Sequence, residues 1–187
     1  MSRSTDKRTR LIEAARNLIH QQGFKQTTLA QIAQKANVPL GNVYYYYKTK
    51  EAIAEAVLDD YIQWFNDLAS QWELQAKPKE RLYNMLDVVD GMAETVAEYG
   101  CPIGSLAQEL DKARLILTSK VDSFLKIQVD WAAAQFRLLG VAEHEAMDLA
   151  IQFLAMLQGT MLLAQSLQDS DVITRQMQRI KAWVDSV

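Results

Sequence analysis

Apolar residues recur at steps of three and four along most of the chain, which is the spacing of one face of an α-helix. The first such pattern runs from about Ser4 to Gln22 and is followed by Gly23, which suits the left-handed residue that ends many helices. The second runs from about Thr28 to Ala36 and opens with Thr28-Leu-Ala-Gln31, a capping-box pattern. We therefore predict two N-terminal helices joined by a short turn.

A third, short helix is predicted directly after the second. Asn37 tolerates the left-handed conformation that ends a helix, and Pro39 suits the first turn of the next one. This helix contains residues 40–45, and Lys48-Thr49-Lys50 separates it from a fourth. Two short helices joined by a tight turn and packed on a longer first helix form a helix-turn-helix, in which the helix after the turn lies in the major groove of DNA.

Six further helices are predicted between residue 49 and the C-terminus. They cover about residues 49–75, 78–96, a stretch from Ser105 that opens with the capping-box pattern Ser105-Leu-Ala-Gln108, and residues 119–139, 143–166 and 170–187. Seven Gly and three Pro leave little material for the many turns of an all-β fold. The predicted fold class is therefore all-α, with about nine helices.

Charge divides the chain into two parts. Residues 1–50, which we call the head, hold nine basic and two acidic side chains, a net charge of +7. Residues 51–187, the body, hold 11 basic and 21 acidic side chains, a net charge of −10, so the whole chain carries −3. This pattern indicates that the head meets a polyanion and the body does not, although charge alone leaves open a solvated basic face without a partner. We predict a DNA-binding domain over residues 1–50 and a second domain over residues 51–187.

The third helix carries groups suited to DNA contact. It has no acidic residue between Val38 and Lys50, and Gly41 allows its backbone to approach DNA closely. Asn42 and four consecutive tyrosines, residues 44–47, complete it. At about 100° per residue, at most two of the four phenols can face a core. The others are expected to be exposed, where they can donate hydrogen bonds to phosphates or make apolar contacts with bases. The alternative is that all four simply cover a small core.

Composition excludes several classes of protein. Cys101 is the single cysteine and there are two histidines, which argues against a disulfide framework, a multi-cysteine zinc site or a metal cluster. No apolar run reaches the roughly 18 residues of a membrane span, and the first 25 residues lack the apolar region of a signal peptide. Paired carboxylates, a phosphate loop and a nucleophile elbow are all missing. We expect a cytoplasmic protein that uses no cofactor and is not an enzyme; a helical enzyme is the distant alternative.

The predicted eighth helix is apolar around its whole circumference, and Asp148 is its only formal charge between Ala146 and Leu167. Such a helix must be buried on all sides, and in a body of this size the simplest partner is a second subunit. The predicted ninth helix carries Ile173, Met177, Ile180 and Val184 on one side, and this apolar stripe fits the same interpretation. A buried central helix in a monomer remains the alternative. The residues expected at this dimer interface are Phe153, Leu157, Met161, Met177, Ile180 and Val184.

The N-terminal motifs resemble the DNA-binding domain of TetR-type transcriptional repressors. The resemblance rests on Thr28-Leu-Ala-Gln-Ile-Ala, on Val38-Pro-Leu-Gly-Asn-Val-Tyr-Tyr-Tyr-Tyr-Lys-Thr-Lys-Glu51, and on Gly23-Phe24 with the spacing between helices. It implies an all-helical homodimer with one DNA-binding head per subunit and a C-terminal ligand-binding body, so residues 51–187 are expected to form a ligand-binding and dimerisation domain. Tyr47 replaces the family's usual Phe, and Pro39 and Leu40 replace Ser or Lys, so base preference cannot be transferred.

The resemblance also implies residue roles. Thr28 would hold a phosphate at the start of the second helix, and Lys48 would add charge at the groove rim. The positions that usually touch the DNA backbone match Tyr45, Tyr46 and Lys50. The positions presented to base edges or phosphates match Pro39, Leu40, Gly41, Asn42 and Tyr44. Arg3, Lys7 and Arg8 are candidates for an arm over the backbone or minor groove.

The resemblance further implies a repressor that a small-molecule effector releases from a near-palindromic operator. Without a basic cluster in the body, an apolar or weakly polar effector is the expectation. Apolar side chains that could line its cavity, or simply pack the core, are Tyr61, Trp64, Met85, Met92, Phe124 and Trp131.

Cys101 supports an alternative form of regulation. It lies in Gly100-Cys-Pro-Ile-Gly104, directly before a predicted helix start, where the pKa of a thiol is lowered. This loop resembles one branch of the family, in which some members sense electrophiles or oxidants through cysteine. A small residue in a tight turn is the competing interpretation. A DNA-binding structural protein without a ligand is a further alternative.

Overall fold

The computed structural model describes residues 3–109 and 115–187, and in these ranges the chain forms ten helices and no strand. The all-α prediction is therefore confirmed. The helices are α1 (Arg3–Gln22), α2 (Leu29–Lys35), α3 (Leu40–Tyr46), α4 (Lys50–Trp72), α5 (Pro78–Asp90), α6 (Ala93–Tyr99), α7 (Pro102–Glu109), α8 (Leu115–Leu138), α9 (Glu143–Leu167) and α10 (Asp171–Ser186).

The chain divides into two compact units. Unit one comprises Met1–Trp64 and Pro102–Phe124, and unit two comprises Phe65–Cys101 and Leu125–Val187. In unit one the three N-terminal helices pack with the first part of α4 and with α7. Its largest fully buried side chains include Leu11, Phe24, Ile32, Ile53, Leu58, Ile103 and Leu106.

Charged side chains link the helices of unit one. Arg16 on α1 donates a hydrogen bond of 2.9 Å from Nη1 to Oδ2 of Asp60 on α4. Lys120 on α8 pairs with Asp59, and its Nζ lies 3.5 Å from a carboxylate oxygen of Glu55. The hydrogen bond to Asp59 raises the pKa of Lys120. These pairs orient α4 against helices on two sides, although each partly exposed pair adds little stability.

Unit two is built on aromatic and aliphatic packing. The ring of Phe65 meets the rings of Trp72 and Trp131 edge to face, with centroid distances of 5.9 and 6.0 Å. Phe136 packs in the same way against Phe153 at 6.3 Å and Trp183 at 5.9 Å. Edge-to-face pairs favour these separations because the ring edge is positive and the ring face negative.

Two helix boundaries predicted from sequence are wrong. The predicted helix over residues 78–96 is two helices, because Gly91 ends α5 and Met92 takes φ −109° and ψ 13° outside the helical range. Glycine lacks the helix propensity to carry the pattern across this point. The helix predicted to start at Ser105 begins earlier, at Pro102, whose fixed φ suits a first helical turn. Ser105 therefore lies inside α7 and does not cap it.

Among the described residues, α9 has the length and apolar composition of a membrane span. The core helices of soluble proteins have the same composition, and much of α9 packs in unit two. Ala146, Ala150, Phe153, Leu157 and Ala164 are all buried there. The feature is therefore weak evidence for a membrane and agrees with a core helix.

Candidate nucleic-acid interface

The turn between α1 and α2 has the predicted geometry. Gly23 adopts φ +85°, and its N–H donates to the carbonyl of Ile19 at 3.0 Å, which closes the end of α1. An L-residue rarely adopts this φ, so glycine is the suitable residue. Phe24 follows and is fully buried. The turn is thus fixed by one backbone conformation and one anchoring side chain.

The start of α2 carries the predicted capping box. The N–H of Gln31 donates to Thr28 Oγ1 at 3.2 Å, and the N–H of Thr28 donates to Gln31 Oε1 at 2.9 Å. Two backbone donors without helical partners are satisfied in this way. Ile32 and Ala33 form the buried face of α2, whereas Thr28 remains exposed.

The turn between α2 and α3 is equally well defined. Asn37 adopts φ +51° and ends α2, as predicted. Val38 is buried. Pro39 takes the N-cap position, one residue before the predicted first turn, and its carbonyl accepts from the N–H of Asn42 at 2.8 Å. This fixes the direction in which α3 leaves the turn.

The α3 helix has one buried side and one exposed side. Val43 and Tyr47 point into unit one with 0% and 6% of their surface accessible. Leu40, Tyr44 and Tyr45 lie on the other side, with 41%, 47% and 78% accessible. Large apolar side chains on one short exposed face mark an interaction surface.

The remaining side chains of α3 extend this surface. Tyr46 and Asn42 are half-buried, so one of the four phenols is buried and one partly buried, within the predicted limit of two. The ring of Tyr46 meets that of Tyr45 edge to face at 5.1 Å. Gly41 is exposed, and a Cβ placed on it would have no atom within 4 Å beyond its own helix backbone. No contact among residues 3–109 and 115–187 therefore calls for glycine there.

Two cations near α3 have contacts that the sequence did not predict. Arg8 Nε donates to the hydroxyl of Tyr47 at 3.3 Å, which joins the start of α1 to the end of α3. Lys50 Nζ donates to the carbonyls of Phe24 and Lys25 at 2.8 and 3.1 Å. It also lies 4.5 Å from the centroid of the Phe24 ring. Lys50, predicted as a phosphate contact, thus directs its ammonium to the α1–α2 turn, whereas Lys48 is exposed.

The helix-turn-helix and the C-terminal helices each match a known protein family. Residues 11–57 match the family described as bacterial regulatory proteins, tetR family. Residues 78–179 match the C-terminal domain of LmrA/YxaF-like transcriptional regulators. The chain belongs to the TetR family.

Individual relatives are also transcriptional regulators. The chain is 26% identical over 185 residues to the HTH-type transcriptional regulator in the lacX 3' region of Lactococcus lactis subsp. lactis, covering 95% of this chain and 93% of that protein. It is 28% identical over 173 residues to the HTH-type transcriptional regulator LmrA of Bacillus subtilis, covering 88% and 89%. A TetR-family regulator from Agrobacterium tumefaciens has the same fold, with a TM-score of 0.84, 19% identity and coverage of 96% and 97%.

TetR-family proteins are transcriptional regulators that bind DNA operators and act as dimers, generally as repressors with a ligand-binding C-terminal domain. The predicted regulatory function is therefore confirmed, and the chain is not an enzyme. The thiol-based alternative is not favoured by these matches. Cys101 is half-buried and directly precedes Pro102 at the start of α7.

The effector candidates of this TetR-family regulator fall in both units. In unit one, the rings of Tyr61 and Phe124 meet with centroids 6.4 Å apart, and Trp64 is partly exposed. In unit two, Met85 is buried and Met92 half-buried. Trp131 packs on Phe65 and Trp72, and its Nε1 donates to Glu73 Oε1 at 3.2 Å. Core packing accounts for the contacts of Tyr61, Phe124 and Trp131.

The six side chains predicted at the dimer interface are core residues of the subunit. All of Phe153, Leu157, Met161, Met177, Ile180 and Val184 are buried within the single chain, because α9 and α10 pack on each other and on other helices of unit two. They therefore have little surface left to bury against a partner. The exposed apolar side chains of α9 are different ones, namely Ile151, Leu162, Leu163 and Leu167, each more than half accessible.

A groove lies beside this exposed face. It has a volume of about 340 Å³ and runs between α9 and α10, lined by Ala155, Met156, Gly159, Thr160, Leu163, Gln176, Arg179 and Ile180. A Cβ on Gly159 would have no atom within 4 Å outside its own helix backbone. The part of the chain that the structure describes again gives no packing reason for the glycine.

Proposed function

We propose that this regulator binds a near-palindromic operator as a homodimer, with the exposed face of α3 from each subunit in a major groove. The observation that carries the proposal is the division of α3 into a buried side, Val43 and Tyr47, and an exposed side headed by Tyr44 and Tyr45. A helix anchored in this way after a tight turn has the form of a recognition helix. Two subunits related by a twofold axis require two related half-sites.

Each exposed residue has a role suited to its chemistry. Leu40 and Tyr44 supply apolar contacts to base edges, and Asn42 supplies an amide that can pair with adenine. Gly41 lets the backbone approach, and Pro39 sets the angle of entry. Backbone contacts come from Thr28, Tyr45, Tyr46 and Lys48, with Lys50 contributing from the α1–α2 turn.

Charge supports the division of labour between the two predicted domains. The DNA-binding domain, residues 1–50, carries +7, and the ligand-binding and dimerisation domain, residues 51–187, carries −10. The first attracts phosphates and the second is repelled by them. Because such a protein works on chromosomal DNA, we place it in the cytoplasm.

A second copy is the proposed occupant of the exposed face of α9. Ile151, Leu162, Leu163 and Leu167 would otherwise leave four large aliphatic side chains in water over a run of α9 that spans almost five turns. Gly159 lies within this run beside open space, where a partner helix can approach. The interface we propose is therefore the exposed side of α9 and its groove with α10. Of the six residues named from sequence, Ile180 lines this groove and the other five do not.

The effector we infer is an apolar or weakly polar small molecule. The candidate contacts named from sequence are aromatic or sulfur-containing side chains: Tyr61, Trp64 and Phe124 in unit one, and Met85, Met92 and Trp131 in unit two. An effector that binds more tightly to the conformation that does not fit the operator releases the repressor.

Fluorescence anisotropy with labelled duplexes tests the proposal. Duplexes enriched by the wild-type protein from a random-sequence library are compared with scrambled duplexes of the same composition. We expect enriched sequences with twofold symmetry and a steep loss of affinity with salt, about 10³-fold or more between 50 and 200 mM if six or more phosphates are contacted. Equal affinity for enriched and scrambled duplexes would refute sequence recognition by α3.

A further inference from the structure

The turn between α1 and α2 is bonded from outside the first three helices by two residues of opposite charge. Glu109, the last residue of α7, accepts hydrogen bonds from the N–H of Phe24 at 3.1 Å and of Lys25 at 2.9 Å, one to each carboxylate oxygen. Lys50, the first residue of α4, donates to the carbonyls of the same two residues. Both polar groups of both residues thus have a charged partner.

The geometry of the turn explains why a carboxylate fits there. Gly23 in its left-handed conformation is followed by two N–H groups that converge on one point, an arrangement that binds anions. A Cβ on Gly23 would lie 2.5 Å from Glu109 Oε1, so the carboxylate lies directly against the glycine. Hydrogen bonds to an ionised acceptor are stronger than those between neutral groups.

This turn leads directly into the DNA-binding surface. Thr27 is fully buried and its hydroxyl donates to the carbonyl of Gly23 at 2.7 Å. Thr28 comes next and caps α2. A shift of the residue 24–25 backbone is therefore passed on to the first turn of α2, where a phosphate is expected.

We propose that Glu109 is a positioning residue for DNA recognition: its carboxylate holds the Phe24 and Lys25 amides and thereby fixes the start of α2 for phosphate contact. The inference rests on the proposed DNA-binding surface. It assigns a role in DNA affinity to a residue of α7 that is separated from the turn by 84 residues of sequence and has no DNA contact of its own.

The proposal predicts a change in DNA affinity that is opposite in direction to the change expected from simple electrostatics. Removing a negative charge from unit one should strengthen binding to a polyanion. Glu109→Gln also replaces one acceptor oxygen by an NH2 group that faces a backbone N–H, so one of the two hydrogen bonds is lost. We expect Glu109→Gln to weaken binding to the enriched duplex about 5-fold or more, because hydrogen bonds to charged groups are among the stronger ones.

Glu13→Gln is the matched control, since it makes the same charge change at an exposed position of α1 in the same unit. It should leave affinity unchanged or raise it slightly. Both variants are measured as full-length protein, at a temperature where circular dichroism shows them fully folded. A loss for Glu109→Gln that persists under these conditions separates positioning from loss of folded protein.

Amide hydrogen exchange supplies a readout independent of DNA. In the wild type, the Phe24 and Lys25 amides should be protected, and Glu109→Gln should lose protection at these residues while amides in the core of α1 keep theirs. If the variant does not fold, wild-type exchange still tests whether the two hydrogen bonds that the proposal requires are formed. Unprotected Phe24 and Lys25 amides would overturn the proposal, as would a folded Glu109→Gln whose affinity equals or exceeds that of Glu13→Gln.

Failure of this inference differs from failure of the proposed function. If the wild-type protein binds enriched duplexes and Glu109→Gln binds them equally well, only the positioning role is refuted. If the wild-type protein does not discriminate between duplexes, the DNA-recognition surface itself is refuted, and exchange at Phe24 and Lys25 then reports only whether the two hydrogen bonds form.

Discussion

The exposed faces of α3 and α9 both display large apolar side chains, but they differ in length and setting. The face of α3 is two turns long and lies in the basic head, with Leu40, Tyr44 and Tyr45 exposed beside Lys48. The exposed face of α9 is longer, running from Ile151 to Leu167; its large apolar side chains are all aliphatic, and exposed Gln152 and Ser166 lie among them. Aromatic and polar groups among cations suit a nucleic acid, whereas an aliphatic stripe suits another apolar helix.

The two helices also differ in how clearly their inner sides can be recognised. In α3 the inner residues are few, and the polar neighbours mark the outer side. In α9 apolar residues occupy all sides, so composition indicates burial without telling which side faces the subunit core and which is available to a partner. Substitutions on the inner and the outer side of each helix should therefore differ in their effects on stability, dimer formation and DNA binding.

The largest effect is expected from the inner side of α9. Phe153→Ala removes a fully buried ring and should lower the free energy of unfolding by about 3–5 kcal/mol. Leu163→Ala, on the outer side, should change the intrinsic stability of the subunit by less than about 0.5 kcal/mol. Urea denaturation at two protein concentrations distinguishes them, because only the Leu163 effect should depend on concentration. Equal, concentration-independent losses would contradict the assignment of sides.

The next effect concerns dimer formation. In Gly159→Arg the new side chain has room within the subunit, because a Cβ at this position contacts no neighbouring atom. It places a charge where we propose that a partner helix approaches. The dimer dissociation constant should rise at least about 100-fold, measured by sedimentation velocity, because an unpaired charge would be buried. Asn66→Arg adds the same charge on an exposed position of α4 and should leave the dimer intact. A Gly159→Arg protein that remains dimeric would place the interface elsewhere.

A smaller effect is expected from the outer side of α3. Tyr44→Ala should weaken binding to the enriched duplex by about 1–3 kcal/mol and leave the melting temperature nearly unchanged. Tyr47→Phe, on the inner side, removes only the hydroxyl that accepts from Arg8 and should leave DNA affinity within about 2-fold. Similar losses on enriched and scrambled duplexes would show that Tyr44 contacts the backbone and does not read bases.

The smallest effect has opposite signs in two measurements. Gly41→Ala should stabilise the folded protein by up to about 1 kcal/mol, because alanine has the higher helix propensity and its Cβ meets no neighbour. If the backbone of α3 approaches DNA at this residue, the same methyl group should weaken binding several-fold. Thermal unfolding and anisotropy measured on the same samples test both. Unchanged DNA affinity would mean that Gly41 lies away from the duplex.

Residues close together in sequence were the most predictable. The cap at Gly23, the capping box of Thr28 and Gln31, and the left-handed Asn37 follow from hydrogen bonds and backbone conformations that span at most four residues. The break at Gly91 and the start of α7 at Pro102 were missed, because apolar spacing continued through the first and a second capping-box pattern competed with the other. Local preferences conflict at such points, and here the low helix propensity of Gly91 and the fixed φ of Pro102 set the boundaries.

The amino-acid sequence by itself determined the class of this protein: an all-helical chain with a basic helix-turn-helix head and an acidic body, because periodicity, caps and charge are properties of short segments. The resemblance of its motifs to the TetR family implied a regulator. Tertiary structure alone decided which side of α9 is core, that the ammonium group of Lys50 bonds to the α1–α2 turn, and that the carboxylate of Glu109 bonds to the same turn. Each of these features depends on contacts between residues tens of positions apart, or on which of several equally apolar sides of one helix is buried. Neither kind of information can be obtained from short segments of the sequence.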